Sequence, residues 1–148
     1  MELVYPPVVA LAKTMFRVLD MKIQVDGAEH IPARGGAVLA SNHSSYLDFI
    51  FCGLGAQPAK RLVRFMAKKS VFDHKVSGPL MRGMRHIPVD RKAGTAAFKE
   101  ATQALRDGQI VGVFPEATIS ESFTIKGLKS GAARMAQEAG VPLIPMAV

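Results

Sequence analysis

The spacing of apolar residues divides the chain into segments of helical and of strand-like pattern. Apolar residues recur at intervals of three and four over 5–19, behind two prolines that suit a first helical turn, so we expect a helix there. Residues 21–27 alternate apolar and polar, which predicts a short strand. The rest of the pattern predicts strands at 35–41, 85–91, 109–114 and 141–148 and helices at 46–56, 94–108 and 129–140. Residues 61–69 fit either a strand or a helix, and Pro79 interrupts the pattern after them.

Strands and helices that alternate in this way predict an α/β fold with a layered, mostly parallel sheet flanked by helices. The length of 148 residues suits one domain. We place this domain at 21–148, behind an N-terminal helical segment at 1–20. The composition, 49% hydrophobic and 21% charged, excludes a disordered chain. The sequence stops inside its last apolar run without a polar tail, so we expect the domain to be truncated at its C-terminus.

The predicted N-terminal helix is amphipathic. Its apolar residues fall on one side, while Lys13 and Arg17 fall elsewhere on the helical wheel. This is the pattern of a helix that lies in a membrane interface, but a helix that packs on a protein core would look the same. No stretch reaches the ~18 apolar residues of a membrane-spanning helix. Any membrane attachment is therefore expected to be peripheral or monotopic.

Positive charge is concentrated in one part of the chain. The formal net charge is +7, and residues 60–92 contain ten of the nineteen Lys and Arg residues but two of the twelve acidic ones. Such a segment is either a solvated surface or a binding surface for phosphate groups, lipid headgroups or nucleic acid. Nucleic acid is the least favoured partner, because the segment has only Phe65 and Phe72 to stack on bases and no known binding motif.

Cysteine and histidine usage excludes two further kinds of site. The single cysteine, Cys52, excludes an internal disulfide and a cysteine-based zinc site. His30, His74 and His86 are scattered without the spacing of a metal-ligand set. We therefore expect no metal and a buried, structural thiol.

Polar tracts follow three of the predicted strands. They occupy residues 42–48, 88–91 and 114–120. Because ligands bind beyond the carboxyl ends of parallel strands, we expect these tracts to meet at one edge of the sheet.

His43 and Asp48 are the candidate catalytic pair. Five residues apart, they would lie about 140° from each other on a regular helix and would not share a face. If His43 lies in the loop and Asp48 in the first helical turn, the two can meet, and the carboxylate would fix the imidazole tautomer that a general base needs. The chain has no G-x-S-x-G elbow, so His43 would deprotonate a substrate hydroxyl rather than an enzyme serine. The alternative is structural, because Ser45 and Asp48 have the spacing of a helix capping box.

Four sequence blocks occur in an order that resembles one known family. They read "NHSSYLD", "RHIPVDR", "FPEATIS" and "VPLIPMAV", and "LKSGAARMA" lies between the last two. The chain resembles the glycerolipid acyltransferases (the 1-acylglycerol-3-phosphate acyltransferase family), with a full match to N-H-x4-D and to I-P-V-D-R. "LKSGAARMA" is similar to that family's F-K-x-G-A segment.

The resemblance implies an acyltransferase of phospholipid biosynthesis at the cytoplasmic face of a membrane. It would move a fatty acyl group from acyl-CoA or acyl carrier protein to a hydroxyl of a lysophospholipid such as 1-acylglycerol-3-phosphate, with no other cofactor. Its partners would be these substrates and membrane phospholipids. By resemblance, His43 would be the base and Asp48 its orienting residue. The residues implied in substrate binding are Asn42, Arg91, Glu116, Thr118, Lys129 and Gly131.

The third block departs from the family pattern F-P-E-G-T-R-S at two positions. Ala117 replaces a glycine, which matters if that position needs a positive φ, and Ile119 replaces an arginine. Loss of the arginine removes a cation that can donate two hydrogen bonds to a phosphate. We therefore expect weaker recognition of a phosphate monoester. A lysophospholipid with a larger headgroup, another acyl acceptor, or a non-catalytic lipid-binding role are the alternatives.

Overall fold

The computed structural model describes residues 2–122 and 124–148; Met1, in the predicted N-terminal segment, and Phe123 lie outside the described residues. The fold is a five-stranded, all-parallel sheet with strand order β3-β2-β4-β1-β5. The strands are β1 Ala37–Ser41, β2 Val63–Lys68, β3 Ile87–Val89, β4 Ile110–Val113 and β5 Leu143–Met146. The α/β prediction is confirmed, and β5 lies at a sheet edge as its prolines suggested.

Six α-helices flank the sheet within residues 2–122 and 124–148. They are α1 Tyr5–Val18, α2 Asp48–Gly55, α3 Lys69–Asp73, α4 Ser77–Gly83, α5 Gly94–Arg106 and α6 Gly131–Ala139, with a short 3-10 turn at Ala28–His30. Gly140 ends α6 in the left-handed conformation, with φ of 67°, as its position after the helical pattern predicted.

The central strands β1 and β4 are buried on both faces, which is why they are apolar runs. On one face, α5 and α6 pack against Val38 and Val111, which are paired in the register of β1 and β4. On the other face, Cys52 of α2 packs near Phe65. Burial raises the pKa of the Cys52 thiol to about 11, in agreement with a structural thiol. Gly112 permits the close approach of the Phe65 ring, because a Cβ there would lie 2.5 Å from it.

Helix α1 belongs partly to the core and partly to the surface. Tyr5 and Phe16 are buried, and the Tyr5 hydroxyl donates a hydrogen bond to the Val63 carbonyl at 2.8 Å. On another side of the helix, Leu11 is 70% exposed and Val18 is 79% exposed. The two predicted roles of this helix are therefore compatible, since each uses a different face. No helix within residues 2–122 and 124–148 has both the length and the apolar character needed to cross a bilayer.

Two local predictions were wrong, and one ambiguity is resolved. Residues 21–27 form no strand, because their alternating pattern meets no neighbouring strand with which to pair. Pro79 does not break structure but lies in the first turn of α4, where its missing N–H would have no helical partner. Residues 63–68 form the strand β2.

Candidate active site

The three polar tracts meet at the carboxyl edge of the sheet, as predicted. The His43 carbonyl accepts a hydrogen bond from the Ser120 N–H at 2.7 Å, which joins the loop after β1 to the loop after β4. Arg91, which follows β3, donates from its guanidinium to the Ala117 carbonyl at 3.2 Å. The parallel sheet thus brings residues that are far apart in sequence to one site.

His43 and Asp48 are in direct contact. The His43 Nδ1 lies 3.0 Å from the Asp48 Oδ2. Asp48 is 2% exposed, whereas the His43 side chain is 19% exposed and so keeps access to solvent. A carboxylate only accepts hydrogen bonds, so Nδ1 carries the proton and Nε2 presents a lone pair. This arrangement can abstract a proton from a bound hydroxyl.

Asp48 also organises the loop that carries His43. The same Oδ2 atom accepts hydrogen bonds from the backbone N–H groups of Ser44, at 2.7 Å, and Ser45, at 2.8 Å. Helix α2 begins at Asp48, and the Ser45 Oγ accepts from the Leu47 N–H at 3.1 Å. The predicted capping box does not form, because the N-cap of α2 is Leu47 and the Asp48 N–H donates to the Ser45 carbonyl rather than to its hydroxyl. The buried Asp48 carboxylate instead binds both the loop backbone and the imidazole.

The His43 ring is fixed on its face as well as at its edge. It stacks on Phe114, with ring centroids 4.2 Å apart and planes 19° apart. Phe114 in turn stacks on Phe65 at 6.1 Å. Sequence reasoning missed Phe114 as a site residue, although its place at the start of the third block was a signal. The stacking leaves the imidazole little freedom to rotate away from Asp48.

Glu116 connects the two loops through backbone groups. Its Oε1 accepts from the His43 N–H and its Oε2 from the Lys126 N–H, each at 2.8 Å. These two hydrogen bonds, that of Lys126 first, lower the pKa of the Glu116 carboxyl, so it is ionised at neutral pH. Both Glu116 oxygens therefore bind backbone N–H groups of the two loops. This geometry favours a role for Glu116 in positioning the loops over the predicted contact with the acceptor.

Comparison with known proteins identifies the family. The family model described as Acyltransferase matches residues 22–148. The chain belongs to the acyltransferase family. It is 37% identical over 127 residues to the 1-acyl-sn-glycerol-3-phosphate acyltransferase of Bacillus subtilis, a match that covers 84% of this chain and 61% of that protein. A protein of the same name from Borreliella burgdorferi is 28% identical over 141 residues, which cover 93% of this chain and 55% of the relative.

A solved structure supports the fold of this chain. The crystal structure of PlsC, the 1-acyl-sn-glycerophosphate acyltransferase from Thermotoga maritima, superimposes with a TM-score of 0.76 at 24% identity. The match covers 93% of this chain and 54% of that chain. The chain thus spans about 60% or less of the length of these relatives.

The remaining predicted site residues of this chain fall into two groups. The Asn42 side chain is occupied by backbone hydrogen bonds: its amide NH₂ donates to the Val148 carbonyl at 3.1 Å, and its Oδ1 accepts from the Val148 N–H at 2.9 Å. Thr118 and Lys129 are exposed, and the Lys129 N–H donates to the Pro115 carbonyl at 2.9 Å. Gly131 begins α6. The side chains of Arg91, Thr118 and Lys129 are thus exposed, whereas that of Asn42 is bound to the Val148 backbone.

The two departures from the family pattern lie on the turn that Arg91 contacts. Ala117 has a φ of 59°, a conformation that favours glycine. Ile119 is half-buried, and its carbonyl accepts a hydrogen bond from the Lys126 Nζ at 2.9 Å. Sequence reasoning gave Lys126 no role, because it lies between the recognised blocks and only the folded loop brings it to this turn.

Proposed function

We propose that the chain transfers a fatty acyl group from acyl-CoA or acyl carrier protein to the free hydroxyl of a lysophospholipid, 1-acyl-sn-glycerol-3-phosphate first. The observation that carries the proposal is the His43 Nδ1 contact with the buried Asp48 carboxylate, which leaves Nε2 as a base at the sheet edge. The names of the relatives from Bacillus subtilis and Borreliella burgdorferi support the choice of acceptor.

In the proposed reaction, His43 Nε2 takes the proton of the acceptor hydroxyl as its oxygen attacks the thioester carbonyl carbon. The carbon–sulfur bond then breaks, and the departing thiolate takes the proton back from the imidazolium. Asp48 stabilises the imidazolium while it exists, because a fixed carboxylate at Nδ1 is placed to interact with the developing positive charge. Direct attack of the acceptor requires no acyl-enzyme intermediate.

The cationic side chains at the rim support a phosphate-bearing acceptor. Arg91 and Lys129 are both exposed there, next to the turn at 115–119. A phosphate monoester carries about −1.5 to −2 charge at neutral pH, so it interacts strongly with clustered cations. We propose that these side chains bind the acceptor phosphate, with Thr118 beside them.

The direct test is the release of free thiol from acyl-CoA in the presence of a panel of lysolipids. We expect turnover by the wild-type chain with lysophosphatidic acid, and a loss of roughly 10²–10⁴-fold in His43→Ala. His30→Ala is the matched control, because the His30 side chain is 75% exposed and lies outside the site. Near-normal turnover by a folded His43→Ala protein would contradict the mechanism. Lysolipid binding without any turnover by the wild type would instead favour the non-catalytic, lipid-binding role.

We further propose that the chain binds the cytoplasmic face of a membrane peripherally through α1. Support comes from the exposed apolar side of the helix, with Leu11 and Val18, next to the cations Lys13 and Arg17. Soluble acyl donors of the proposed kind are made in the cytoplasm, which favours that face. Each apolar side chain buried in the interface contributes about 1.5–3 kcal/mol at most.

The attachment is better tested by substitution than by deletion, since deleting 1–20 would also remove the buried Tyr5 and Phe16. We expect Leu11→Glu combined with Val18→Glu to weaken sedimentation with vesicles of phosphatidylglycerol and phosphatidylcholine by at least ~10-fold. Val76→Glu is the control, because Val76 is equally apolar, 69% exposed and outside α1. Unchanged vesicle binding by the double variant would assign α1 to the core alone.

A further inference from the structure

The acceptor site lacks a cation at position 119, and the structure places another cation at the same turn. The Lys126 Nζ donates a hydrogen bond to the Ile119 carbonyl at 2.9 Å. Arg91 donates to the Ala117 carbonyl at 3.2 Å. The two charged groups therefore bind carbonyls two residues apart on one turn, and both side chains are exposed.

We propose that Lys126 supplies the phosphate-binding cation that Ile119 cannot, so that Lys126 and Arg91 together bind the acceptor phosphate. The inference rests on the proposed function for the identity of the acceptor. The inference goes beyond the proposed function because it assigns a role to a residue outside the recognised sequence blocks.

Hydrogen-bonding capacity supports the assignment. An ammonium has three N–H donors and a guanidinium has five. The contacts with the turn use one donor of Lys126 and one of Arg91. The remaining donors are available to phosphate oxygens, and a dianionic group is bound more strongly by two cations than by one.

The backbone of Lys126 is fixed relative to the base. Its N–H is held by the Glu116 Oε2, while the Glu116 Oε1 holds the His43 N–H. One carboxylate thus sets the positions of both the cation and the base. A phosphate bound at Lys126 would place the rest of the acceptor at a defined distance from His43, which is the requirement for a productive orientation.

The experiment measures the dissociation constant of a short-chain lysophosphatidic acid, used below its micelle concentration, by calorimetry. Lys126→Gln removes the charge but keeps a donor for the Ile119 carbonyl, so it separates a phosphate-binding role from a loop-tethering one. We expect Kd to rise about ten-fold in Lys126→Gln, as for loss of one charged hydrogen bond. Lys126→Arg should retain the affinity, and Lys99→Gln, an exposed lysine on α5, should leave it unchanged.

Rescue gives the sharper outcome. Ile119→Arg introduced into Lys126→Gln returns a cation to the turn and should recover most of the lost affinity. An unchanged Kd in Lys126→Gln would overturn the proposal. An equal loss of affinity for the phosphate-free 1-acylglycerol would also overturn it, because that result assigns Lys126 to the loop alone.

Two further readouts keep the inference separate from folding and from the proposed function. If Lys126→Gln does not fold, chemical acylation of the Lys126 amine in the wild-type chain is followed by peptide mass spectrometry. The rate of this acylation should fall when short-chain lysophosphatidic acid is added. An unchanged rate would overturn the proposal. A wild-type chain that binds this ligand without acyl transfer refutes the proposed function only. If the wild-type chain transfers acyl groups and Lys126→Gln keeps the wild-type Kd, only the inference is refuted. If the wild-type chain does not bind the ligand, the inference is refuted as well.

Discussion

The loop after β1 and the loop after β4 meet at the same site but are built differently. In the first, residues 42–48, a single buried carboxylate binds the imidazole and two backbone N–H groups. In the second, residues 114–130, the charged side chains of Lys126 and Lys129 are exposed and Ala117 has a positive φ. The first loop holds one imidazole in a fixed position, whereas the second exposes charged side chains that, in the proposed function, would bind the acceptor. The two departures noted in the third block, Ala117 and Ile119, lie in the second loop.

The largest expected effects test the first loop. His43→Ala and Asp48→Ala should both abolish turnover, by roughly 10²–10⁴-fold, because one removes the base and the other its orienting partner. Asp48→Asn should be somewhat less severe, since an amide oxygen can still accept one hydrogen bond.

The two alanine variants should differ in stability. Asp48→Ala leaves the Ser44 and Ser45 N–H groups without their acceptor, so it should lower the free energy of unfolding by about 1–3 kcal/mol, while His43→Ala should lower it less. Urea unfolding of both variants measures this difference. An equally stable Asp48→Ala protein would show that the carboxylate is not needed for the loop.

The next largest effect tests the connection between the loops. Glu116→Gln replaces one carboxylate oxygen by an NH₂ group that would face a backbone N–H, so one of the two connections must break. We expect kcat/KM to fall roughly ten- to hundred-fold, because the base and the phosphate site lose their fixed distance. Glu121→Gln, an exposed glutamate on the same loop, is the control. A loss confined to KM would mean that Glu116 acts on acceptor binding alone.

The connection should also respond to pH. The hydrogen bonds of Lys126 and His43 lower the pKa of the Glu116 carboxyl in the folded state. Their stabilising contribution is therefore complete above the pKa of the unfolded state and is lost as the pH falls through the lower, folded pKa. Unfolding measured across the acid range should show a weaker pH dependence in Glu116→Gln than in the wild type.

The contrast between the loops also explains what the sequence could predict. Of the strands in the described residues, all but β2 followed from apolar runs, and the convergence of three polar tracts followed from the geometry of parallel sheets. The His43–Asp48 contact followed from placing His43 in a loop and Asp48 in the first helical turn. The roles of Phe114, Asn42 and Lys126 did not, because they depend on contacts between residues distant in sequence. The prediction of a strand at 21–27 failed for the same reason, since alternation predicts a strand only where a neighbouring strand can pair with it.

A smaller effect concerns the acceptor. Ile119→Arg in the otherwise wild-type chain should raise kcat/KM for lysophosphatidic acid, relative to lysophospholipids with a headgroup, by up to about ten-fold. The gain should be smaller than in the absence of Lys126, because that residue already supplies a cation at this turn. The half-buried Ile119 side chain makes misfolding the competing explanation, so thermal stability is measured with the kinetics. A stable variant with an unchanged acceptor preference would contradict the role of position 119.

The smallest expected effect concerns the backbone of the second loop. At the φ of 59° of Ala117, a side chain costs about 1–2 kcal/mol, whereas glycine adopts this conformation freely. Glycine also gives the unfolded chain more freedom, which offsets about 0.4–1 kcal/mol. Ala117→Gly should therefore raise the free energy of unfolding by about 0.8 kcal/mol, the middle of the net range of these two effects. Ala133→Gly, at an exposed position inside α6, should lower it by about 0.5–1 kcal/mol, because no positive φ exists there to relieve. Urea unfolding of the two variants compares the signs directly. A decrease in Ala117→Gly as large as that in Ala133→Gly would mean that the turn at 117 carries no strain, and that the second loop differs from the first in its exposed charges alone.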